Sequence, residues 1–327
     1  MLKGRKKRVK ILVTGGAGFI GSHVVDRGLA DGHDVVAVDN LSTGRKEFIQ
    51  DALAHPQFSL VEADIFTQPD RLTEVMAGCD VVFHLAANAD VRFGLEHPRR
   101  DLEQNTIATF NVLEAMRANG VRRIAFSSTG SVYGESSVIP TPEDAPFPVQ
   151  TSLYAASKLA CEAMIQAYCE GYDMQGYIFR FVSLLGERYS HGHVFDFLKK
   201  LTADPNRLHV LGDGHQKKSY LYVGDCIDAM FCALSNATDP VNIFNLGTDE
   251  YVEVNDSIRC ICDHLGVTPE LDYAGGERGW IGDNPFIFLD CQRIRSLGWA
   301  PTRTIRESIV HTVDYLRSQP WLLEARS

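Results

Sequence analysis

Tyr154 and Lys158 stand four positions apart in a stretch of helical period, Leu153 to Glu170, so a helix would present phenol and ammonium on one face. A free phenol ionises near pH 10, and bringing that value to about 7 takes about 4 kcal/mol of preference for the phenolate. An ammonium in a pocket of low dielectric supplies part of it, which makes proton removal from an alcohol available as chemistry. The Tyr-x-x-x-Lys spacing alone is cheap. It gains weight from Phe126-Ser127-Ser128-Thr129-Gly130-Ser131-Val132-Tyr133-Gly134, a hydroxyl-rich run at the end of a strand candidate. Ser127, Ser128 and Thr129 are expected to touch substrate there, with Thr129 bonding the reacting oxygen. Asn105 is either a polariser of nearby backbone or water, or a plain helix-surface amide.

A second constellation opens the chain: Thr14-Gly15-Gly16-Ala17-Gly18-Phe19-Ile20-Gly21, a Gly-x-x-Gly-x-x-Gly turn between a strand and a helix candidate. Gly15 permits the tight turn, Gly18 lets a pyrophosphate approach the backbone, and Gly21 lets helix and strand pack closely. The helix start, at Phe19 and Ile20, offers unpaired N–H groups and positive partial charge. Asp39 closes the next strand candidate near the roughly 20-residue separation expected of a carboxylate that holds ribose hydroxyls. A 2′-phosphate would be repelled there, so the expected cofactor is NAD and not NADP, with Arg45 the one neighbour able to neutralise such a phosphate. Asn40 flanks the acid. Asp64, with Ile65, is placed at the adenine edge or in a helix-capping turn, and Leu85-Ala86-Ala87-Asn88 leaves room for the cofactor's backbone approach or for close packing. With a nicotinamide ring to accept hydride, Tyr154 would deprotonate a sugar hydroxyl whose own carbon is oxidised.

These groups need a scaffold that brings strand ends together. Strand-length apolar runs at Val9–Thr14, Asp34–Val38, Phe58–Glu62, Val81–Leu85, Arg123–Ser127 and Gly176–Phe181 alternate with helical stretches at Phe19–Ala30, Arg71–Ala77, Asp101–Ala118 and Leu153–Glu170. This is the rhythm of an α/β protein with a doubly wound parallel (Rossmann) sheet. Beyond Ser183 the rhythm loosens into a smaller α/β substrate-binding lobe, while Val241–Leu246 reads as a strand returning to the main sheet. The expected division is residues 1–182 with about 223–250 for the cofactor, and about 183–222 with 251–327 for the substrate. Pro140 to Pro148 reads as a surface loop.

Composition narrows the partners. The chain has 327 residues, 45% hydrophobic and 23% charged, an ordinary globular mixture, with a net charge of −10. General attraction to nucleic acid or to an anionic membrane is therefore not expected. No apolar run approaches the roughly 18 residues of a spanning helix. The basic start, Lys3 to Lys10, reads as a solvated lead-in to a strand and is followed by too short an apolar stretch for a signal peptide. Eight scattered cysteines without a Cys-x-x-Cys pair suggest neither metal nor disulfides, and a cytoplasmic, reducing compartment.

Taken together, the glycine turn, Asp39, Thr129 and the Tyr154/Lys158 pair resemble the extended short-chain dehydrogenase/reductase family, specifically its nucleotide-sugar epimerases of the UDP-galactose 4-epimerase type. Arg180-Phe181-Val182-Ser183-Leu184-Leu185-Gly186-Glu187-Arg188, Leu211-Gly212-Asp213-Gly214-His215-Gln216-Lys217-Lys218-Ser219-Tyr220 and Leu297-Gly298-Trp299-Ala300-Pro301 extend the resemblance along nearly the whole chain. It implies tightly held NAD, a UDP-sugar substrate, a 4-keto intermediate, and a homodimer packed through the helices Asp101–Ala118 and Leu153–Glu170. It also implies that Lys218, Arg278 and Asp283 hold phosphate and ribose, although Arg278-Gly279-Trp280-Ile281-Gly282-Asp283 is longer than the usual Arg-x-Gly-Asp.

Two departures bear on the reaction. Sugar 4,6-dehydratases of the family carry Asp-Glu after the catalytic Thr, where this chain has Gly130-Ser131. Ser183 stands where hexose epimerases carry Asn, resembling the Thr of UDP-glucuronate 4-epimerases, and Arg188 is expected to add charge for a C6 carboxylate. The reading leans to UDP-glucuronate, with UDP-glucose/UDP-galactose as the alternative. An NAD-dependent sugar dehydrogenase or reductase and a non-enzymatic cofactor-binding module remain as other classes.

Overall fold

The computed structural model describes residues 8–88, 96–279 and 286–324. Seven strands, β1 (Lys10–Thr14), β2 (Asp34–Asp39), β3 (Phe58–Glu62), β4 (Val81–His84), β5 (Arg123–Thr129), β6 (Gln175–Phe181) and β11 (Val241–Leu246), form one parallel sheet in the order β11-β6-β5-β4-β1-β2-β3. The strand after the loosened region does return to the sheet, along β6. Chain order reverses between β1 and β4, where an open sheet of this type leaves a crevice at its carboxyl edge.

Alternation along each strand explains why both faces are covered. Ile11, Val13, Phe83 and Ala125 belong to one buried cluster, together with α1 (Phe19–Ala30). Leu12, Val82, Ile124 and Phe126 belong to the other, under α2 (Pro69–Val75), α3 (Ala108–Asn119) and α4 (Leu153–Tyr172). Successive strand side chains point to opposite faces, so a strand buried on both must be apolar almost throughout.

The expected continuous helix over 101–118 is instead built in three pieces. A short helix, Pro98–Asp101, runs into a π-helical turn at Leu102–Ile107 before α3 begins. Its wider turn carries Asn105, whose amide is buried and fully engaged. Such turns recur where a helix must redirect a functional side chain.

A third buried cluster gathers α5 (His193–Ala203), α7 (Val254–Leu265) and α8 (Ile305–Ser318), while α6 (Val223–Asn236) packs in the first. Short strand pairs accompany them: β7 (Ser183–Leu185) with β10 (Tyr220–Tyr222), β8 (Arg207–Val210) with β13 (Glu270–Tyr273), and β9 (Lys217–Lys218) with β12 (Val252–Glu253). The Pro140–Pro148 segment is more than a surface loop. Thr141 N donates to Phe288 O at 2.8 Å, Asp290 N donates back to Thr141 O at 2.9 Å, and the Glu143 carboxylate is buried on Asn245 N.

Candidate active site

At the carboxyl edge of β1, Gly15 turns with φ +69°, and a Cβ there would meet Ala86 N at 2.8 Å. A Cβ on Gly21 would lie 2.0 Å from Gly15 O, so both positions exclude any larger residue. The start of α1 has no side-chain cap and no acid in its first turn, leaving the N–H groups of Phe19 and Ile20 to an anion. Gly18 is its N-cap residue.

The turn is tied to the second strand through Asp39, whose Oδ2 accepts from Ala17 N at 2.9 Å and Oδ1 from Leu41 N at 2.8 Å. Burial raises its pKa, an effect those two N–H groups oppose. Asn40 Nδ2 donates to Asp64 Oδ2 at 2.9 Å, and Asp64 Oδ1 accepts from Phe66 N at 2.8 Å. Asp64 therefore does the turn work that was one of its two expected roles, with its pKa lowered by these bonds against burial. Ile65 is buried beneath it. A carboxylate beside a glycine cradle and an uncapped helix start is the donor and acceptor set that a dinucleotide without a 2′-phosphate requires, so the residues present fit NAD.

Leu85, Ala86 and Ala87 are partly buried along the crevice between β1 and β4. Their loop is held by a polar chain that the sequence reading missed. Leu85 N and Ala86 N donate to Thr14 Oγ1, each at 3.2 Å; Thr14 Oγ1 meets His84 Nδ1 at 2.7 Å, and His84 Nε2 meets Thr109 Oγ1 at 2.9 Å. Thr109 then bonds Cys161 Sγ in α4 at 3.2 Å. Burial drives the His84 pKa down to about 3, so the ring is neutral. The available signal was a lone His closing an otherwise apolar strand.

Opposite this loop, the Ser152 hydroxyl caps α4 by accepting from Ala155 N at 3.1 Å, which sets Tyr154 in the first turn. The Tyr154 phenol bonds the Thr129 side chain, and that bond lowers its pKa against a larger upward push from burial. Thr129 Oγ1 also accepts from Ser131 N at 3.1 Å. Lys158 is buried, and its ammonium donates to Ser127 O at 2.8 Å, 4.7 Å from the centroid of the Phe126 ring. Burial brings its pKa down to about 8, with Cys161, Glu162 and Asp101 acting in the other direction. Tyr154, Lys158 and Thr129 are thus brought together, with the strand end and not a direct phenol–ammonium bond as the link.

Asn105 is no surface amide. Its Oδ1 accepts from Asn88 N at 2.8 Å and its Nδ2 donates to Ser157 Oγ at 2.9 Å, joining the 85–88 loop to the first turns of α4.

Other expected contacts fall elsewhere. Ser127 Oγ lies within 3.4 Å of His84 O. Ser128 shares the face of Phe126 and bonds the Glu162 carboxylate beneath α4, because strand alternation turns it away from the open edge. Arg188 adopts φ 63° and pairs with Asp26 of α1, Nη2 to Oδ2 at 2.7 Å, while its Nη1 is buried without a hydrogen-bond partner among the described residues. Ser183 itself is exposed at the start of β7, opposite Tyr220. Lys218 lies in β9, close enough to His193 for its charge to help depress that imidazole. Arg278 Nη2 pairs with Glu135 Oε1 at 2.5 Å. Asp283 lies outside the described residues.

Residues 11–247 match the family model described as NAD dependent epimerase/dehydratase family. The chain is similar to the UDP-glucose 4-epimerase of Mycolicibacterium smegmatis, 35% identical over 95% of this chain and 99% of that one. Among solved structures, a UDP-galactose 4-epimerase matches with a TM-score of 0.84 at 38% identity, covering 95% of this chain and 100% of that chain. The UDP-glucuronic acid 4-epimerase of Bacillus cereus, in complex with UDP-glucuronic acid and NAD, matches with a TM-score of 0.86 at 27% identity, covering 95% and 99%.

Proposed function

The chain belongs to the NAD dependent epimerase/dehydratase family, and from that premise we propose that it is an isomerase, an NAD-dependent UDP-sugar 4-epimerase. The observation that carries this is the Tyr154 phenol bonded to Thr129 above a buried Lys158 ammonium, with Gly130-Ser131 in place of the acids an elimination would need.

NAD, when bound, supplies reversible hydride transfer at C4 of the sugar. The residues of this chain manage the proton and the geometry. Tyr154 takes the proton of the 4-hydroxyl and later returns it, as a positioned base and then acid. Thr129 orients that oxygen. Lys158, kept cationic below pH 8, favours the phenolate through a poorly screened field. Gly15, Gly18, Phe19 and Ile20 receive the pyrophosphate, Asp39 the adenosine ribose, and the 85–88 loop the crevice side of the cofactor. Lys218 and Arg278, the latter after release from Glu135, hold the substrate diphosphate while the sugar turns over; Asp283 takes the ribose hydroxyls of the nucleotide.

For the sugar, the Arg188–Asp26 pair takes up part of the charge that a C6 carboxylate would use. A neutral pair, UDP-glucose and UDP-galactose, is then the favoured substrate. Ser183, small and exposed, keeps UDP-glucuronate as the second reading. Residues 1–182 with about 223–250, which build the seven-stranded sheet, carry the cofactor at the β1/β4 crevice, and about 183–222 with 251–327, the α5, α7 and α8 lobe, the nucleotide-sugar. Leu102 and Phe110, exposed on the helical segment before β5, and Leu153 at the start of α4 supply apolar surface for a homodimer.

Purified protein incubated separately with UDP-glucose and UDP-glucuronate, followed by separation of C4 epimers, tests the reading. Interconversion of glucose and galactose forms is expected. Conversion of only the uronate would reverse the substrate assignment, and conversion of neither would end the proposal.

A further inference from the structure

Helix α4 contacts three consecutive residues of β5 through three side chains one turn apart. Tyr154 bonds the Thr129 side chain, Lys158 donates to Ser127 O at 2.8 Å, and the Glu162 carboxylate accepts from Ser128 Oγ. Residues at i, i+4 and i+8 share a helix face, so these contacts form a single row. The first two belong to the chemistry already described. The third reaches further.

Glu162 is completely buried, and it also receives Arg180: Nε to Oε1 at 3.0 Å and Nη2 to Oε2 at 2.6 Å. Arg180 is the residue directly opposite Ser128 in the β5–β6 pairing. One carboxylate therefore holds both members of a single rung of the sheet to the helix that carries the catalytic phenol. Arg180 is itself fixed from the other side, donating through Nη1 to Tyr133 OH at 2.8 Å and to Glu143 O at 2.9 Å. A buried carboxylate that accepts from three donors, Ser128 Oγ and the Nε and Nη2 of Arg180, has a hydrogen bond on each oxygen and is held in place by them.

We propose that Glu162 is a positioning residue for the epimerisation: by locking the Ser128–Arg180 rung under α4, it sets the separation between Tyr154 and Thr129 on the neighbouring strand position. The inference rests on the function proposed above. It differs from a purely structural reading because the carboxylate acts on catalytic geometry through the Ser128 hydroxyl, in addition to neutralising Arg180.

Two variants separate those roles. Ser128→Ala keeps the ion pair and cuts only the link to the strand. Glu162→Met combined with Arg180→Met removes both charges, an exchange that often leaves a fold as stable as before or more so. Misplacement of reacting groups by a fraction of an ångström is the expected defect, so kcat should fall about tenfold in each, with KM for the UDP-sugar within about twofold of the parent and bound NAD retained. A drop in kcat at unchanged KM, in protein whose melting temperature matches the parent, supports the assignment. Parent-level kcat in Ser128→Ala overturns it whatever the double variant does, and so does a loss confined to KM. A parent that epimerises neither sugar sinks the functional reading and this assignment with it, whereas an active parent with equally active variants sinks this assignment alone.

Discussion

Asn105 holds Ser157 from across the helix pair: its Nδ2 donates to Ser157 Oγ at 2.9 Å, while the same side chain's Oδ1 accepts from Asn88 N at 2.8 Å. Ser157 in turn donates to Tyr154 O at 2.8 Å. The loop expected to line the cofactor and the turn that carries the Tyr154 phenol are thereby joined through one amide.

Asn105→Ala leaves a half-buried N–H at Asn88 and a buried hydroxyl at Ser157 without that partner. A loss at a buried group costs about 1–3 kcal/mol, so denaturant unfolding should show destabilisation of at least about 1 kcal/mol. Unchanged stability would mean that the π-helical turn relaxes to satisfy both groups.

Tyr154→Phe removes the proposed base and keeps the ring. We expect kcat to drop by about 10² to 10⁴, the usual contribution of a positioned acid–base group, with NAD still bound. In the parent, deuterium placed at C4 should survive inversion. Exchange of that label with solvent would contradict hydride return within one binding event.

Lys158 gives a pH dependence with a definite sign. Its folded pKa is about 8, against 10.5 for the free side chain. Between those values the unfolded chain binds the extra proton, so the penalty for burying the ammonium is fully present below pH 8 and is relieved as pH rises through it. The relief is about 3 kcal/mol at most. Stability of the parent relative to Lys158→Met should climb from pH 8 toward 10, while kcat falls over the same interval as the ammonium is lost. A parallel pair of stability curves would rule this out.

His84 behaves in the opposite pH range. Its pKa is pushed down from 6.5 to about 3, so the unfolded state takes up a proton that the native ring refuses. The contribution of His84 to stability is complete above pH 6.5 and declines below it, by about 1.4 kcal/mol per unit. Imidazole ¹⁵N shifts should report a neutral ring at pH 5; a protonated ring there would refute the polar chain as drawn.

Asp39→Asn replaces a charge and keeps the shape. Titration of cofactor-free protein should then show the preference for NAD over NADP reduced by about tenfold or more, or about 1.4 kcal/mol. An unaltered preference would shift the discrimination to another residue, with Arg45 next in line.

What could be read from the sequence was whatever rests on local spacing. The glycine turn, Asp39 and the Tyr154/Lys158 pair depend on separations of a few residues or on one strand–helix–strand unit, and the seven strand positions follow from apolar runs. Partners chosen by the folded sheet were not legible. Ser128 looks like its neighbours in a list of hydroxyls, yet the pleat sends it to Glu162, and only the β5–β6 pairing puts Arg180 opposite it. Arg188 looked available because Asp26, which claims it, lies on the first helix of the chain. The apparent helix surface at Asn105 depended on a regular helix, and the π-helical turn changes which way that residue faces.

The stitch between Thr141 and the 288–290 segment has a consequence for biosynthesis. Asn245 Nδ2 bridges Thr141 O and Asp290 O, and a Cβ on Gly130 would touch Ile287 and Leu289, so the wall behind the end of β5 is built from residues made long after it. A nascent chain halted on the ribosome before Leu289 emerges already holds Tyr154, Lys158 and Thr129 but lacks the backing that closes over Gly130. Catalytic competence should therefore arrive late in translation, as a single event near the end of synthesis and not gradually as each active-site side chain appears.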